Sequence, residues 1–179
     1  MRKLTMNELG RATPDTFRNQ AKIPIVVVLD NVRSALNVGS AFRTADAFAL
    51  EKIYLCGITA TPPHREILKT ALGSTETVAW EYAQDAVDVV NSLKRDGYGT
   101  WVIEQVEGSV QLQDFEVQGD ARIAVIFGNE VSGVAESVIA VCDGSLEIPQ
   151  FGTKHSLNVA VCVGIVSWEL VRKLKFPPI

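Results

Sequence analysis

The chain has 179 residues, of which 47% are hydrophobic and 21% are charged, and both the size and the composition are those of one globular domain. Its longest apolar run, Val159 to Val166, is far shorter than the roughly 18 residues of a membrane span. Its first residues form no apolar signal-peptide segment. We therefore expect a cytoplasmic protein.

The net charge of −4 is unevenly distributed. Residues 1–22 contain five basic and two acidic side chains, a local charge of +3, so the rest of the chain carries −7. A basic arm on an acidic body favours a polyanionic partner, although a solvated surface helix explains the pattern equally well. We expect a basic helical arm at 1–22 and one further domain at 23–179.

Helical and strand patterns alternate along the chain. In the arm, Thr5 and Glu8 have the spacing of a capping box, and Pro14 suits the first turn of a second short helix. The predicted strands are 25–29, 52–56, 78–82, 99–105, 123–127 and 145–148, and the predicted helices are 37–49, 65–72, 86–94 and 157–175. This order predicts an α/β fold with a parallel sheet covered by helices on both faces.

Several common sites are disfavoured. No Gly-x-Gly-x-x-Gly turn follows the first strand, and no P-loop is found. The two histidines, His64 and His155, lie in unrelated contexts, so we predict no metal site. Ser156 adjoins His155, but no Gly-x-Ser-x-Gly elbow supports a serine hydrolase. The three cysteines lie in apolar surroundings and are interpreted as small core residues.

Ligands of parallel α/β sheets bind at the carboxyl ends of strands, which directs attention to the loops at 30–39, 128–133 and 149–158. Their polar residues have structural explanations. Asn37 is suited to capping a helix, Glu130 to a helix N-terminus, and Ser156 or Asn158 to capping the final helix. Arg43 is the exception, because a guanidinium in an otherwise apolar, small-residue helix serves mainly to bind a phosphate or a carboxylate.

Together, three segments resemble the motifs of the SpoU/TrmH branch of the SPOUT RNA 2'-O-methyltransferases. Residues 37–45, NVGSAFRTA, match the first motif with its asparagine and arginine. Residues 127–134, FGNEVSGV, match the Gly-x-Glu-x-x-Gly core of the second, and residues 148–159 match the third, which ends in Ser-Leu-Asn-Val. The resemblance covers about residues 24–172. Gln150 and Ala160 depart from residues common in relatives, which bears on the substrate subclass.

The resemblance implies a C-terminal trefoil knot, a homodimer, and S-adenosylmethionine as cofactor without a metal. The cofactor is expected to contact mainly backbone groups of the second and third loops. The residues carried over for cofactor binding are Gly128, Asn129, Ile148 and Leu157. A glycine at the first of these positions agrees with a close approach of the backbone to a ligand.

The catalytic residues implied by the resemblance are Arg43, Asn37, Glu130, Ser156 and Asn158. Arg43 either orients the ribose and its phosphate or takes the hydroxyl proton. We favour the phosphate anchor, because an arginine side chain has a pKa of about 12.5 or more and keeps its proton at neutral pH. The other four residues are expected to shape the pocket and to hydrogen-bond the ribose or base.

The expected substrate is RNA, with guanosine in tRNA favoured and ribosomal RNA as the alternative. Three rival functions stay open: a catalytically silent RNA-binding member of the family, a relative that methylates a base nitrogen, and a flavodoxin-like binding protein. Binding of S-adenosylmethionine, the alkali sensitivity of the product, and methyl transfer itself would separate them.

Overall fold

The structure is a computed structural model that describes residues 1–5 and 7–176. Within these residues, seven strands form a single sheet in which every paired neighbour is parallel. In chain order, they are β1 (Ile23–Asp30), β2 (Leu50–Cys56), β3 (Trp80–Ala83), β4 (Gly99–Ile103), β5 (Val110–Gln111), β6 (Ile123–Phe127) and β7 (Gly144–Glu147). Their spatial order is β3-β2-β1-β6-β4-β7-β5. The predicted parallel sheet is confirmed.

Six α-helices lie in the described residues: α1 (Pro14–Asn19), α2 (Ala35–Ala47), α3 (Arg65–Ala71), α4 (Ala86–Arg95), α5 (Glu136–Ile139) and α6 (Val159–Lys175). Short 3-10 turns occur at Asn7–Leu9, Ser74–Glu76 and Leu112–Asp114. No helix among the described residues combines the length and the apolar character that a bilayer crossing requires.

Two hydrophobic cores cover the two faces of the sheet. Successive side chains of a strand point to opposite faces, and β1 divides accordingly. Val27 and Leu29 pack with residues of α2, α3 and α6, whereas Val26 and Val28 pack with residues of α4 and α5. Because β1 is buried on both faces, it reads as the continuous apolar run expected of a central parallel strand.

The helix boundaries depend on side-chain caps that periodicity does not reveal. α2 begins two residues before the predicted start because Ser34 is its N-cap, accepting a hydrogen bond from the backbone N–H of Asn37 at 3.4 Å. α6 begins two residues after the predicted start because Asn158 caps it, accepting from the N–H of Ala160 at 2.9 Å. Of the capping roles considered for these loops, the one for Asn158 is confirmed.

The N-terminal segment contains both predicted helical pieces. Glu8 accepts a hydrogen bond from the Thr5 backbone N–H at 2.8 Å, as in a capping box, and Thr13 caps α1. Phe17 of α1 is buried in the core that also contains α2 and α6. The second half of the arm is therefore attached to the domain by an apolar anchor, while most of the arm is exposed.

Candidate active site

A cavity of about 590 Å³ opens at the carboxyl ends of β6, β4 and β7. These strands are neighbours in the sheet, with β1 next to β6, so the loops that follow them meet at one edge. Seven of the nine predicted site residues line this cavity. They are Gly128, Asn129, Glu130, Ile148, Ser156, Leu157 and Asn158. The second and third loops therefore line one cavity, and the roles expected of their residues stay predictions.

The Glu130 carboxylate connects the second loop to the start of α2. One oxygen accepts from the Arg33 backbone N–H at 2.8 Å, and the other accepts from the Ser34 N–H at 3.0 Å and from Asn37 Nδ2 at 3.0 Å. The two N–H groups belong to the N-cap of α2, Ser34, and to the residue before it, so the carboxylate lies at the helix N-terminus, where the helix dipole favours a negative charge. Glu130 therefore does lie at a helix N-terminus, but at that of α2.

These contacts also set the ionisation of Glu130. Burial raises the pKa of this carboxyl, but the hydrogen bonds from Arg33, Ser34 and Asn37 outweigh burial and hold the pKa below its ordinary value. Glu130 is consequently ionised at neutral pH, and it links the first and second loops as a charged acceptor.

Asn37 and Asn158 extend the connection to the third loop. Asn158 Nδ2 donates to Asn37 Oδ1 at 3.2 Å, while Asn158 Oδ1 caps α6. Asn37 thus uses its amide nitrogen on Glu130 and its amide oxygen on Asn158. The hydrogen-bonded series Glu130–Asn37–Asn158 joins the three loops. Because these side chains are bonded to one another, their main role is to hold the loops in place.

Asn129 and Gly128 shape the second loop. Asn129 Nδ2 donates to the Asn31 carbonyl at 2.8 Å, and its oxygen accepts from the N–H of Val131 at 2.9 Å. A Cβ added at Gly128 would lie 2.2 Å from the carbonyl carbon of Gly133, inside any allowed contact. Only glycine therefore fits at this wall of the cavity.

Arg43 lies outside the cavity of its own chain. It is exposed on α2, next to the fully buried Phe42, and does not line the cavity. Among the described residues it has no hydrogen-bond or ion-pair partner within the distances that define one. Since α2 begins at Ala35, Arg43 is in its third turn.

Glu104 and Glu147 are carboxylates of the cavity wall that the sequence analysis did not identify. Glu104 follows β4, and its two carboxylate oxygens accept from the backbone N–H groups of Gln105 at 2.9 Å and Val134 at 3.1 Å. Gly133 has φ +70°, and a Cβ there would lie 2.2 Å from Glu104 Oε2. The predicted strand 99–105 contained Glu104, so its assignment to the site required knowing that β4 ends at Ile103 and lies between β6 and β7.

The cysteines and histidines form no metal cluster with the acidic residues in the described part of the chain. Cys56 is fully buried, as predicted, whereas Cys142 and Cys162 are half-buried. Burial raises the pKa of the Cys56 thiol to about 12 and that of Cys142 to about 11, so neither is a thiolate at neutral pH.

The sequence matches a known protein family. The family described as the SpoU rRNA Methylase family matches residues 24–168. The chain belongs to this family. The resemblance drawn from the three motifs is thereby confirmed, and with it membership of an RNA methyltransferase family. The knot and the roles of single residues stay predictions.

Relatives in the SpoU family are longer than this chain. A protein of Neisseria meningitidis named 23S rRNA (guanosine-2'-O-)-methyltransferase RlmB is 29% identical over 160 residues, or 89% of this chain and 62% of that protein. An rRNA methyltransferase from Sinorhizobium meliloti, solved with AdoMet (S-adenosylmethionine) bound, has a TM-score of 0.78 and 26% identity, covering 91% of this chain and 60% of that one. The chain thus spans less than two thirds of both.

A third similarity concerns the fold. The A. aeolicus TrmH/SpoU tRNA modifying enzyme has a TM-score of 0.77 at 24% identity, covering 89% of this chain and 79% of that chain. The parallel sheet with helices on both faces is therefore the SPOUT methyltransferase fold, as the sequence predicted.

Proposed function

We propose that the cavity binds S-adenosylmethionine and that the chain transfers its methyl group to a ribose 2'-hydroxyl of RNA. The observation that carries the proposal is the meeting of the second and third SpoU motif loops around one cavity of about 590 Å³, to which Asn37 of the first motif is joined by hydrogen bonds to Glu130 and Asn158. This volume lies within the range of about 300–1,000 Å³ typical of small-molecule sites. At Gly128, the missing Cβ lets the second loop close on Gly133, which sets the shape of this part of the cavity wall.

The cofactor, when bound, supplies an electrophilic methyl group for an in-line displacement. This chain's residues then have two tasks: to hold the cofactor and to align the ribose hydroxyl. The first task falls to the second and third loops, where Gly128, Ile148 and Leu157 line the cavity. The hydrogen-bonded series Glu130–Asn37–Asn158 holds these loops in place against α2. Ser156, also on the wall, carries a hydroxyl that can hydrogen-bond the ribose.

Arg43 is proposed as the phosphate anchor. Its exposed guanidinium offers five donors in a planar fork, which suits a phosphate better than a buried reaction centre. Because Arg43 does not line the cavity of its own chain, the RNA must extend from the cavity to α2, or a second copy must bring its own Arg43 to the cavity.

A homodimer would meet the second condition. Exposed apolar side chains recur along one stripe of α6, at Val161, Ile165 and Trp168, and Leu157 precedes them at the same spacing. Trp168 lies 6.0 Å from Phe48, measured between ring centroids, so the stripe continues onto the end of α2. An apolar stripe of this kind is suited to a symmetric contact between two copies.

The RNA species is proposed from the relatives. Our sequence prediction favoured guanosine in tRNA, whereas the Neisseria relative is named for guanosine in 23S rRNA. We therefore propose guanosine in ribosomal RNA as the first substrate to test, with tRNA as the parallel arm. Recognition of either RNA relies on phosphate contacts and on the shape of the RNA. A dimer of compact subunits can make such contacts over a wide surface.

The test is methyl transfer from labelled S-adenosylmethionine to unmodified ribosomal RNA and tRNA. Arg43→Ala should lower transfer by at least about a hundredfold with cofactor affinity nearly intact, the scale of a lost positioned electrostatic group. Arg43→Lys should also fail, because an ammonium cannot reproduce bidentate contacts. Arg95→Ala, an exposed arginine at the end of α4 on the other face of the sheet, is the matched control.

Two results would contradict the proposal. Full activity of either Arg43 variant on a true substrate would remove the anchor role. Loss of activity on chelation, with recovery on adding one metal ion, would contradict the metal-free site.

A further inference from the structure

The cavity wall carries an excess of negative charge. Three carboxylates line it, those of Glu104, Glu130 and Glu147, and the described lining includes no lysine or arginine. Glu130 is engaged by the N-terminus of α2, and Glu147 accepts from Gln111 Nε2 at 3.3 Å. The motif-based interpretation assigns no role to Glu104 or Glu147, and of these two Glu104 is the one hydrogen-bonded to the second motif loop, through the Val134 N–H.

Glu104 is held firmly at the wall. Its oxygens accept from the N–H groups of Gln105 and Val134, at 2.9 and 3.1 Å, so the second loop and its own loop both fix the carboxylate. Gly133 gives it room, since any Cβ there would overlap Oε2. Each carboxylate oxygen can accept more than one hydrogen bond, and both of its donors here are neutral amides.

The two forms of the cofactor differ in charge. S-adenosylmethionine carries a sulfonium and a net positive charge at neutral pH, whereas methyl transfer leaves S-adenosylhomocysteine, a neutral thioether with no net charge. We propose that Glu104 is a specificity-determining residue whose fixed carboxylate favours the cationic cofactor over the neutral product. This inference rests on the proposed function. A preference for the cationic cofactor gives the site a means of releasing product in exchange for fresh cofactor.

The expected effect of the Glu104 charge on cofactor affinity follows from the width of the cavity. A cavity of this volume is roughly 10 Å across. At that separation and an effective dielectric constant of about 20, one unit charge changes an affinity by about tenfold. Glu104→Gln preserves shape and removes the charge, so the ratio of the two dissociation constants should move toward unity by about this factor.

Isothermal titration with each ligand tests the proposal without requiring catalysis. The wild type should bind S-adenosylmethionine more tightly than S-adenosylhomocysteine, and Glu104→Gln should lose affinity mainly for the former. Sinefungin, which carries an ammonium in place of the sulfonium, should follow S-adenosylmethionine. Glu107→Gln, an exposed carboxylate three residues along the same loop, should leave the ratio unchanged.

Each outcome is informative. An unchanged ratio in Glu104→Gln, or equal loss of both ligands, would overturn the charge selection and assign Glu104 to contacts that both ligands share. Failure of the wild type to bind either ligand would overturn the proposed function itself. If Glu104→Gln does not fold, Glu104→Ala removes the same charge; its ratio of dissociation constants should also move toward unity, and an unchanged ratio would refute the proposal.

Discussion

Replacing Glu130 with glutamine tests the connection between the first two loops. The carboxylate accepts three hydrogen bonds, two of them from the exposed N-terminal N–H groups of α2. The amide keeps one acceptor oxygen and turns an NH₂ group toward donors, so at least one bond is lost and a donor faces a donor. We expect a loss of both stability and methyl transfer.

The expected fall in the free energy of unfolding follows from the number and the exposure of these hydrogen bonds. Hydrogen bonds to a charged group contribute about 1.5–3 kcal/mol each when desolvated. Glu130 is exposed, so water replaces part of each lost bond and screens the charge. The free energy of unfolding should therefore fall by about 1–2 kcal/mol in total. For a protein of this length, Tm should drop by about 3–6 °C.

The pH dependence gives an independent check. The pKa of Glu130 in the folded state lies below its ordinary value, so its stabilisation is present above the unfolded pKa of about 4.3 and is lost as pH falls through the folded pKa. Denaturant unfolding should separate wild type from Glu130→Gln at pH 7, and the difference should shrink toward pH 3. Glu116→Gln, an exposed carboxylate outside the site, is the control. An equal effect of both variants, or a pH-independent difference, would refute the reasoning.

Three further predictions concern other parts of the molecule. Gly128→Ala should abolish measurable cofactor binding by titration, because its Cβ would overlap Gly133, whereas alanine at the uncrowded Gly119 should bind normally. Trp168→Glu should convert a dimer into a monomer in light scattering at micromolar concentration, and a monomeric wild type would contradict the apolar contact. Neutralising Lys3 and Arg11 should weaken RNA binding and flatten its salt dependence while sparing cofactor binding; an unchanged salt slope would remove the arm from the RNA interface.

The arm experiment uses point changes because the structure argues against truncation. Phe17 is buried in the core, so deleting residues 1–22 would remove an apolar anchor together with the charges. Arg2 and Arg18 already form ion pairs within the arm, with Glu8 and Asp15. Lys3 and Arg11 are exposed and make no such pair among the described residues, so they are the better probes of a phosphate contact.

Local patterns predicted most of the fold. Apolar runs such as β1 and the helical spacing of α2 are encoded within a few residues, and the alternation of strand and helix implies a parallel sheet. α5 and β5 were not predicted, because elements of four and two residues are too short to show a period. The ends of α2 and α6 were misplaced by two residues because single side chains cap them.

The site was predicted as a set of residues but not as an arrangement. The motif resemblance identified Asn37 and Glu130, yet nothing local reveals that side chains 93 residues apart bond each other and so are occupied. Glu104 was missed for a related reason, because strand order is a long-range property and only that order brings the end of β4 to the cavity. Arg43 was grouped with the pocket, but its helix position carries it outside the cavity of its own chain.

The central claim, methyl transfer to a ribose hydroxyl, is tested most directly by the chemical position of the transferred methyl group. The chain is incubated with labelled S-adenosylmethionine and unmodified ribosomal RNA or tRNA, and the RNA is then hydrolysed with alkali. A 2'-O-methyl group blocks cleavage of the neighbouring phosphodiester, so we expect the label in alkali-resistant dinucleotides that yield 2'-O-methylguanosine on nuclease digestion. Label released in ordinary mononucleotides, as from a methylated base nitrogen, or no transfer to either RNA, would contradict the account.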